Sequence, residues 1–302
     1  MQIISNTIQS VISFYKKELA AIYTESELQN ITHWVLEKQL KINSTEIISK
    51  PGLRINESDL VKLEQMCFDL KKNKPIQYVL GEAEFYKLKF KVDESVLIPR
   101  PETEELVERI ISNLKSQTSL LSSPLVPSIL DIGTGSGCIP VSIKKNIPGA
   151  DVFALDISDA ALETAKYNAL HNNVEVNFFK ADVLQENISE MILAKTFGNK
   201  LDCIVSNPPY VLNSEKETLH SRVRNYEPAL ALFVHDKDPI LFYRKIAALA
   251  QKVLKKRGKI YFECHANHAL SVKQMLESGH FKNVCIHADM AGLARIAEAQ
   301  WD

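Results

Sequence analysis

Apolar residues recur at three- and four-residue spacing through the first quarter of the chain, and the pattern changes character after residue 74. Ile4, Ile8, Val11, Ile12 and Tyr15 share one helical face. Thr24 followed by Glu27 forms a capping-box pattern that opens a helix through Leu28, Ile31, Trp34, Val35 and Leu40. Asn56 with Asp59 opens another through Leu60, Leu63, Met66, Cys67 and Leu70. These signals predict a small helical bundle over residues 1–74, with Pro75 ending the helical region.

Beyond Pro75 the chain alternates apolar and polar positions. Glu84 to Phe90 and Val92 to Ile98 read as a β-hairpin, giving a linker over residues 75–100. Pro99-Arg100-Pro101 stops it, and Glu102-Thr103-Glu104-Glu105 forms an acidic first helical turn. After a loop rich in serine and proline (residues 116–128), strands are predicted at 129–132, 151–156, 174–179, 201–206 and 258–263, with helices between most of them. That alternation predicts an α/β fold with a parallel sheet covered on both faces, within a domain spanning 101–302. Two further strands, 283–288 and 294–300, are separated only by Asp289 to Leu293, so they pair antiparallel at the end of the sheet. No internal repeat is present.

At 302 residues the chain exceeds one ordinary domain. Its 45% hydrophobic and 24% charged residues are those of a soluble globular protein. A net charge of −1 removes the main sequence argument for a dedicated nucleic-acid binder, and the small cluster Lys71, Lys72 and Lys74 reads as solvated linker. The five cysteines are scattered without a Cys-x-x-Cys, the pattern of a reducing compartment. Cys264-His265 and His268 lack a second ligand pair at zinc spacing, so no metal is expected. The N-terminal residues lack a charged region followed by an apolar core, and no apolar run approaches the ~20 residues of a membrane span, so a cytoplasmic protein is expected.

The candidate chemistry lies at strand ends. Ile129 to Ile132 runs into Gly133-Thr134-Gly135-Ser136-Gly137, where glycines let backbone N–H groups approach a ligand. The spacing is Gly-x-Gly-x-Gly, and not the Gly-x-Gly-x-x-Gly of a pyrophosphate site. The next strand ends in Asp156, about twenty residues on, where a carboxylate can accept both hydroxyls of a ribose. Asp182 follows the third strand, near where an adenine would be read. Any single acid here could be a simple strand-end cap; three strand ends in agreement point to a nucleoside-bearing cofactor. Asn207-Pro208-Pro209-Tyr210 follows the buried run Leu201 to Ser206. Its prolines restrict their own φ and the residue before each, so the loop holds the Asn207 amide, the Pro208 carbonyl and the Tyr210 ring in fixed relation. That arrangement suits a planar amino group gripped at its edge and stacked on its face; the plain alternative is a proline-rich turn ending a strand.

Asp131 to Gly137 with Asp156 and Asn207 to Tyr210 resembles the class I S-adenosyl-L-methionine-dependent methyltransferases that act on amino groups, which have a Rossmann-like seven-stranded domain. The resemblance implies a cofactor site of Gly133, Thr134, Gly135, Ser136, Gly137, Asp156, Asp182, Val183 and Asn207. It implies catalysis by Asn207, Pro208 and Tyr210 and substrate binding by Asn207, Pro208, Pro209 and Tyr210. The loop occurs in DNA, RNA and protein methyltransferases, so by itself it leaves the substrate open. Pro75 to Gly81, Phe85-Tyr86, Val92-Asp93 and Val96 to Glu104 resemble more specifically the release factor glutamine N5-methyltransferases, the HemK or PrmC family. That resemblance continues at Val223 to Pro228 and Phe262-Glu263, over nearly the whole chain. It implies methylation of the glutamine in the Gly-Gly-Gln motif of class-1 peptide chain release factors. It also implies a monomer without direct nucleic-acid or membrane partners, its N-terminal bundle and hairpin docking the substrate or covering the cleft. Related enzymes that modify a ribosomal protein share Leu97 to Arg100 but usually continue Ser-Pro. Val183 departs from members that carry an aromatic there, while Asp289, Gly292 and Arg295 keep the family spacing loosely. Arg100 and Glu102 are candidates for the cleft wall or for an ordinary surface ion pair. Two other readings remain: a nucleic-acid amino methyltransferase, and a nucleotide-binding or dehydrogenase-type module.

Overall fold

The computed structural model describes residues 3–119 and 126–302. It forms two compact units, Met1–Gly81 with His220–Tyr226, and Glu82–Leu219 with Glu227–Asp302.

The first unit holds α1 (Ile8–Leu19), α2 (Glu25–Leu40), α3 (Ser44–Ser49), α4 (Glu57–Lys71) and α5 (Ile76–Leu80). Side-chain caps start the longer ones: Thr7 accepts from Ser10 N, Thr24 completes its capping box with Glu27, and Asn56 accepts from Asp59 N. Ile8, Val11, Tyr15, Leu19, Val35, Leu36, Leu63 and Leu70 are fully buried between the helices, each contributing roughly 1.5–3 kcal/mol. The Tyr15 hydroxyl meets its need for a partner by donating to Leu63 O at 2.7 Å. The segment His220–Tyr226 belongs to this unit through two contacts: the Arg222 guanidinium lies 4.5 Å from the Tyr23 ring centroid, and the Tyr226 hydroxyl donates to Lys72 O at 2.8 Å.

Three expectations for this region change. Ile4 is exposed because α1 starts only after the Thr7 cap. Trp34 is half-exposed, since about 100° per residue turns it away from the stripe of Leu28, Ile31, Val35 and Leu36. Helical structure also continues past Pro75, which stands as the N-cap of α5, until Gly81 ends it at a φ of 68°.

The second unit opens with a hairpin of β1 (Glu82–Phe85) and β2 (Leu88–Lys91). Its turn is Tyr86-Lys87, both at positive φ (49° and 61°), inside the run that reads as one strand. No glycine or asparagine signals this turn. It is held from outside, where Tyr86 N donates to Glu104 at 2.9 Å and the Tyr86 hydroxyl donates to Glu108. Val92 to Ile98 is therefore an ordered loop and not a strand. Helix α6 (Pro101–Ser119) begins with proline at its first position and acids in its first turn. It thus takes up the start of the predicted 116–128 loop, of which residues 120–125 lie outside the described residues.

The chain then runs β3 (Ser128–Ile132), α7 (Cys138–Asn146), β4 (Asp151–Asp156), α8 (Asp159–His171), β5 (Asn177–Lys180), α9 (Ile188–Lys195) and β6 (Leu201–Ser206). After β7 (Val211–Leu212) come α10 (Ser221–Tyr226), which belongs to the first unit, α11 (Ala229–Leu232) and β8 (Phe233–Val234). The last elements are α12 (Leu241–Val253), β9 (Leu254–Glu263), α13 (Ala269–Ser278), β10 (Lys282–Ala288) and β11 (Ala294–Gln300).

Seven strands form one sheet in the order β10-β11-β9-β6-β3-β4-β5, parallel except for β11. Alternate residues feed two cores. Leu130, Ile132, Ile204 and Phe262 pack with Tyr243, Ile246 and Val253 of α12, while Ile129, Cys203, Val205 and Tyr261 pack with Leu106 and Ile110 of α6 and Val141 of α7. The terminal antiparallel pair forms as expected, but the later strand lies inside: β11 buries Ile296, Ala297 and Ala299, whereas β10 is largely exposed. No helix among the described residues is long and apolar enough to cross a membrane.

Candidate active site

The order of the sheet reverses at β3: the chain proceeds to β4 and β5 on one side, then returns to β6 and β9 on the other. Such a switch point leaves a crevice at the carboxyl ends of the strands. A cavity of about 240 Å³ occupies it. Gly133 to Ser136 after β3, Asp156 ending β4, Asp182 and Val183 after β5, and Asn207, Pro208 and Pro209 after β6 all line this one cavity.

The turn after β3 is shaped by its glycines. Gly135, at a φ of 53°, turns its N–H onto Asp156 Oδ2 at 2.8 Å, while Asp156 Oδ1 accepts from Ser158 N at 2.9 Å. The carboxylate thus organises the turn and its own following loop, with lone pairs left for a ligand. Gly137 has a different task and does not line the cavity. It caps α7 at a φ of 78°, and a Cβ there would stand 3.0 Å from Ala165 Cβ of α8. Buried Asn168 of α8 ties this turn to the hairpin, donating to Ser136 O and Lys91 O and accepting from Lys91 N.

Beneath the turn, Asp131 is wholly buried and does not line the cavity, and the Thr134 hydroxyl beside it tempers the effect of burial on its carboxyl. Burial, with the nearby Asp156 charge adding to it, pushes the Asp131 carboxyl up to about 7.

Tyr210 is turned elsewhere. It does not line the cavity; its hydroxyl donates to Glu263 Oε1 at 3.1 Å, and its ring meets His265 edge-on at 5.9 Å. Burial holds the Tyr210 hydroxyl well above its ordinary range. On the same carboxylate, Glu263 Oε2 accepts from the Thr103 hydroxyl at 2.6 Å, and Thr103 Oγ1 accepts from Asn207 Nδ2 at 3.3 Å. Burial raises the Glu263 carboxyl too. Burial lowers His265, which faces Glu215 at 3.7 Å.

The remaining wall comes from residues that pattern reading did not assign, except Arg100, which lines the cavity as one of its two expected possibilities while Glu102 does not. Ser95 to Leu97, Pro99, Arg100 and Thr103 line one side, and Pro228, Leu230 and Ala231 another. Arg100 bridges these segments by donating to Glu227 Oε1 at 2.5 Å; its partner is buried Glu227 and not the neighbouring Glu102. Glu227 also accepts from Ile98 N at 3.3 Å. Thr103, Glu227 and Glu263 lie within stretches that carried the family resemblance, and that was the only signal for them. Among the described residues no three His, Cys, Asp or Glu side chains are grouped to hold a metal ion.

Comparison with known proteins gives two family models along the chain: a PrmC N-terminal domain over residues 10–81 and a Methyltransferase small domain over 111–224. A release factor glutamine methyltransferase of Flavobacterium psychrophilum is 43% identical over 95% of this chain and 96% of its own. That of Bacteroides thetaiotaomicron is 37% identical over 96% and 98%. Among solved structures, the catalytic domain of hMettl16 in complex with an RNA hairpin superposes with a TM-score of 0.52 over 82% of each chain at 15% identity, a likeness of fold alone.

The geometry separates the glycines of the turn. Gly137→Ala is expected to lower unfolding free energy by about 1–2 kcal/mol from its left-handed backbone, plus the cost of pushing α7 from α8. Gly135→Ala, whose Cβ would meet nothing within 4 Å, should lose less. Urea unfolding of the two variants measures the difference.

Proposed function

The chain belongs to the release factor glutamine methyltransferase family, and we propose from this that it methylates the side-chain amide nitrogen of the Gly-Gly-Gln glutamine in a class-1 peptide chain release factor. The observation that carries the reading is the shared cavity, in which the Asn207-Pro208-Pro209 loop faces the Gly133–Ser136 turn and Asp156.

The residues present fit S-adenosyl-L-methionine. The Gly133–Ser136 turn with the Thr134 hydroxyl gives the cavity a polar edge, Asp156 suits ribose hydroxyls, and Asp182 with Val183 suits the adenine. Val183 substitutes apolar packing for the aromatic of some relatives. When bound, the cofactor would supply an electrophilic sulfonium methyl, its S–C electrons staying on sulfur as the amide nitrogen takes the methyl, and the N–H proton lost would pass by way of the acceptors at Asn207 and Pro208 to water at the cavity mouth.

The amide nitrogen is a weak nucleophile, because its lone pair is delocalised into the carbonyl. Asn207 Oδ1 and the Pro208 carbonyl accept its two N–H groups, concentrating the lone pair toward the methyl. The rigid loop presets that approach, and alignment of this kind is worth ~7–11 kcal/mol in well-oriented systems. Apolar wall residues, including Leu97, Ile132 and Phe242, lower the polarity around the reacting atoms, which favours a transition state of dispersed charge. Tyr210, turned to Glu263, braces the far end of the loop rather than lining the cavity itself. We assign release factor docking to the helical unit, where Val61 and Phe68, seven residues apart on α4, are both exposed.

The test is transfer of labelled methyl from S-adenosylmethionine to a release factor, beside a variant with its Gly-Gly-Gln glutamine replaced. Label is expected on the native factor only. No label on either, with cofactor binding established by thermal shift, would redirect the search to a ribosomal protein or nucleic acid. Asn207→Ala should lower kcat by about 10²–10³ while leaving S-adenosylhomocysteine affinity within about tenfold. Asp156→Ala should do the reverse, weakening that affinity roughly 10- to 100-fold by calorimetry.

A further inference from the structure

Glu263 ends β9, and its two carboxylate oxygens reach both ends of the Asn207–Tyr210 loop. Both Glu263 oxygens accept from hydroxyls, bonds that together with Arg295 favour its ionised form against the burial that raises it, and a hydroxyl has a single proton to give. Thr103 gives its proton to Glu263 Oε2 at 2.6 Å, so toward Asn207 it presents a lone pair. Only the NH₂ end of the Asn207 amide can meet that lone pair, and Nδ2 does so at 3.3 Å. Oδ1 is thereby the end left to accept from a ligand. Tyr210 likewise spends its one proton on Glu263 Oε1 at 3.1 Å, which sets the direction of its ring.

Both intermediaries are well held. Thr103 is 2% exposed and Glu263 is 1% exposed, so water does not compete for these bonds. The two residues come from different elements, the first turn of α6 and the end of β9, and the loop itself follows β6. We infer that Glu263 is a positioning residue: through Thr103 it presents the acceptor end of Asn207 to the substrate amide, and through the Tyr210 hydroxyl it fixes the ring. The inference rests on the methyl-transfer reading above for its consequence, but not for its geometry. Asn207 reversed would set two N–H groups against the substrate's own N–H groups, and the amide could not be held.

The test uses the full chain with Thr103→Val, Thr103→Ser and Glu263→Gln. Valine keeps the shape of Thr103 and removes its hydroxyl. Glutamine at position 263 brings one donor where two acceptors stood, so whichever way it turns, one hydroxyl meets a donor. Thr103→Val and Glu263→Gln are expected to lower kcat on the release factor by about 10², with KM and S-adenosylhomocysteine affinity held within about threefold. Thr103→Ser, which restores the hydroxyl, should recover most of the loss. A purely structural role would instead move melting temperature and KM together. The Asn207 side-chain NH₂ resonance, read by ¹⁵N NMR without any substrate, should shift in Thr103→Val and stay near its native position in Thr103→Ser. Folded Thr103→Val with kcat within about twofold of the native chain would overturn the inference, as would an unshifted Asn207 resonance. Should the native chain label no release factor, the proposed function falls and the resonance alone decides the positioning role.

Discussion

Strand β3 pairs in parallel with β4 on one side and β6 on the other, from Ile129 against Val152 and Cys203 onward. Everything functional in the second unit hangs from that double pairing. Parallel strands deliver their carboxyl ends to one edge, and the reversal of order at β3 opens a gap between the loops leaving β4 and β6. The glycine turn, Asp156 and the Asn207 loop are remote in sequence, yet they leave adjacent strands at the same height. Ser206 Oγ, donating to Ile132 O at 2.7 Å, locks the last residues of β6 and β3 together just before the two loops diverge.

Two buried carboxyls give the site its polarity, and they differ in kind. Asp131 lies buried beneath the glycine turn beside Thr134, where burial raises its carboxyl. Glu263 is satisfied by two hydroxyl donors, so its cost is already offset and its effect is directional. One acid lies under the glycine turn, while the other orients the residues around it. The Arg100–Glu227 bridge adds a third arrangement, in which the pair joins two wall segments that are otherwise plain loop.

The capping boxes, the seven strands of the sheet and the strand-end residues were legible because each depends on neighbours a few positions away. Thr24 and Glu27 bond each other, and unbroken apolar runs such as Cys203 to Val205 pack on both faces of a covered sheet. The hairpin was misjudged by several residues because Tyr86-Lys87 carries no turn chemistry of its own. Glu104 and Glu108, a helix away, supply what an Asn-Gly pair would otherwise provide. Trp34 illustrates the same limit, since it fits the helix but misses the face that tertiary packing selects.

The sequence by itself determined the alternation of elements, the covered parallel sheet and the set of polar residues at its strand ends, since these follow from periodicity and local backbone chemistry. Only the tertiary structure decided that Tyr210 turns from the cavity to Glu263, that Thr103 stands between Glu263 and Asn207, and that β11 lies inside β10. The first two outcomes depend on which side chain meets which across more than fifty residues of chain, and the third on β11 pairing with β9. A hydrogen bond is settled by ångström distances and by burial from water, and neither is written in the order of residues.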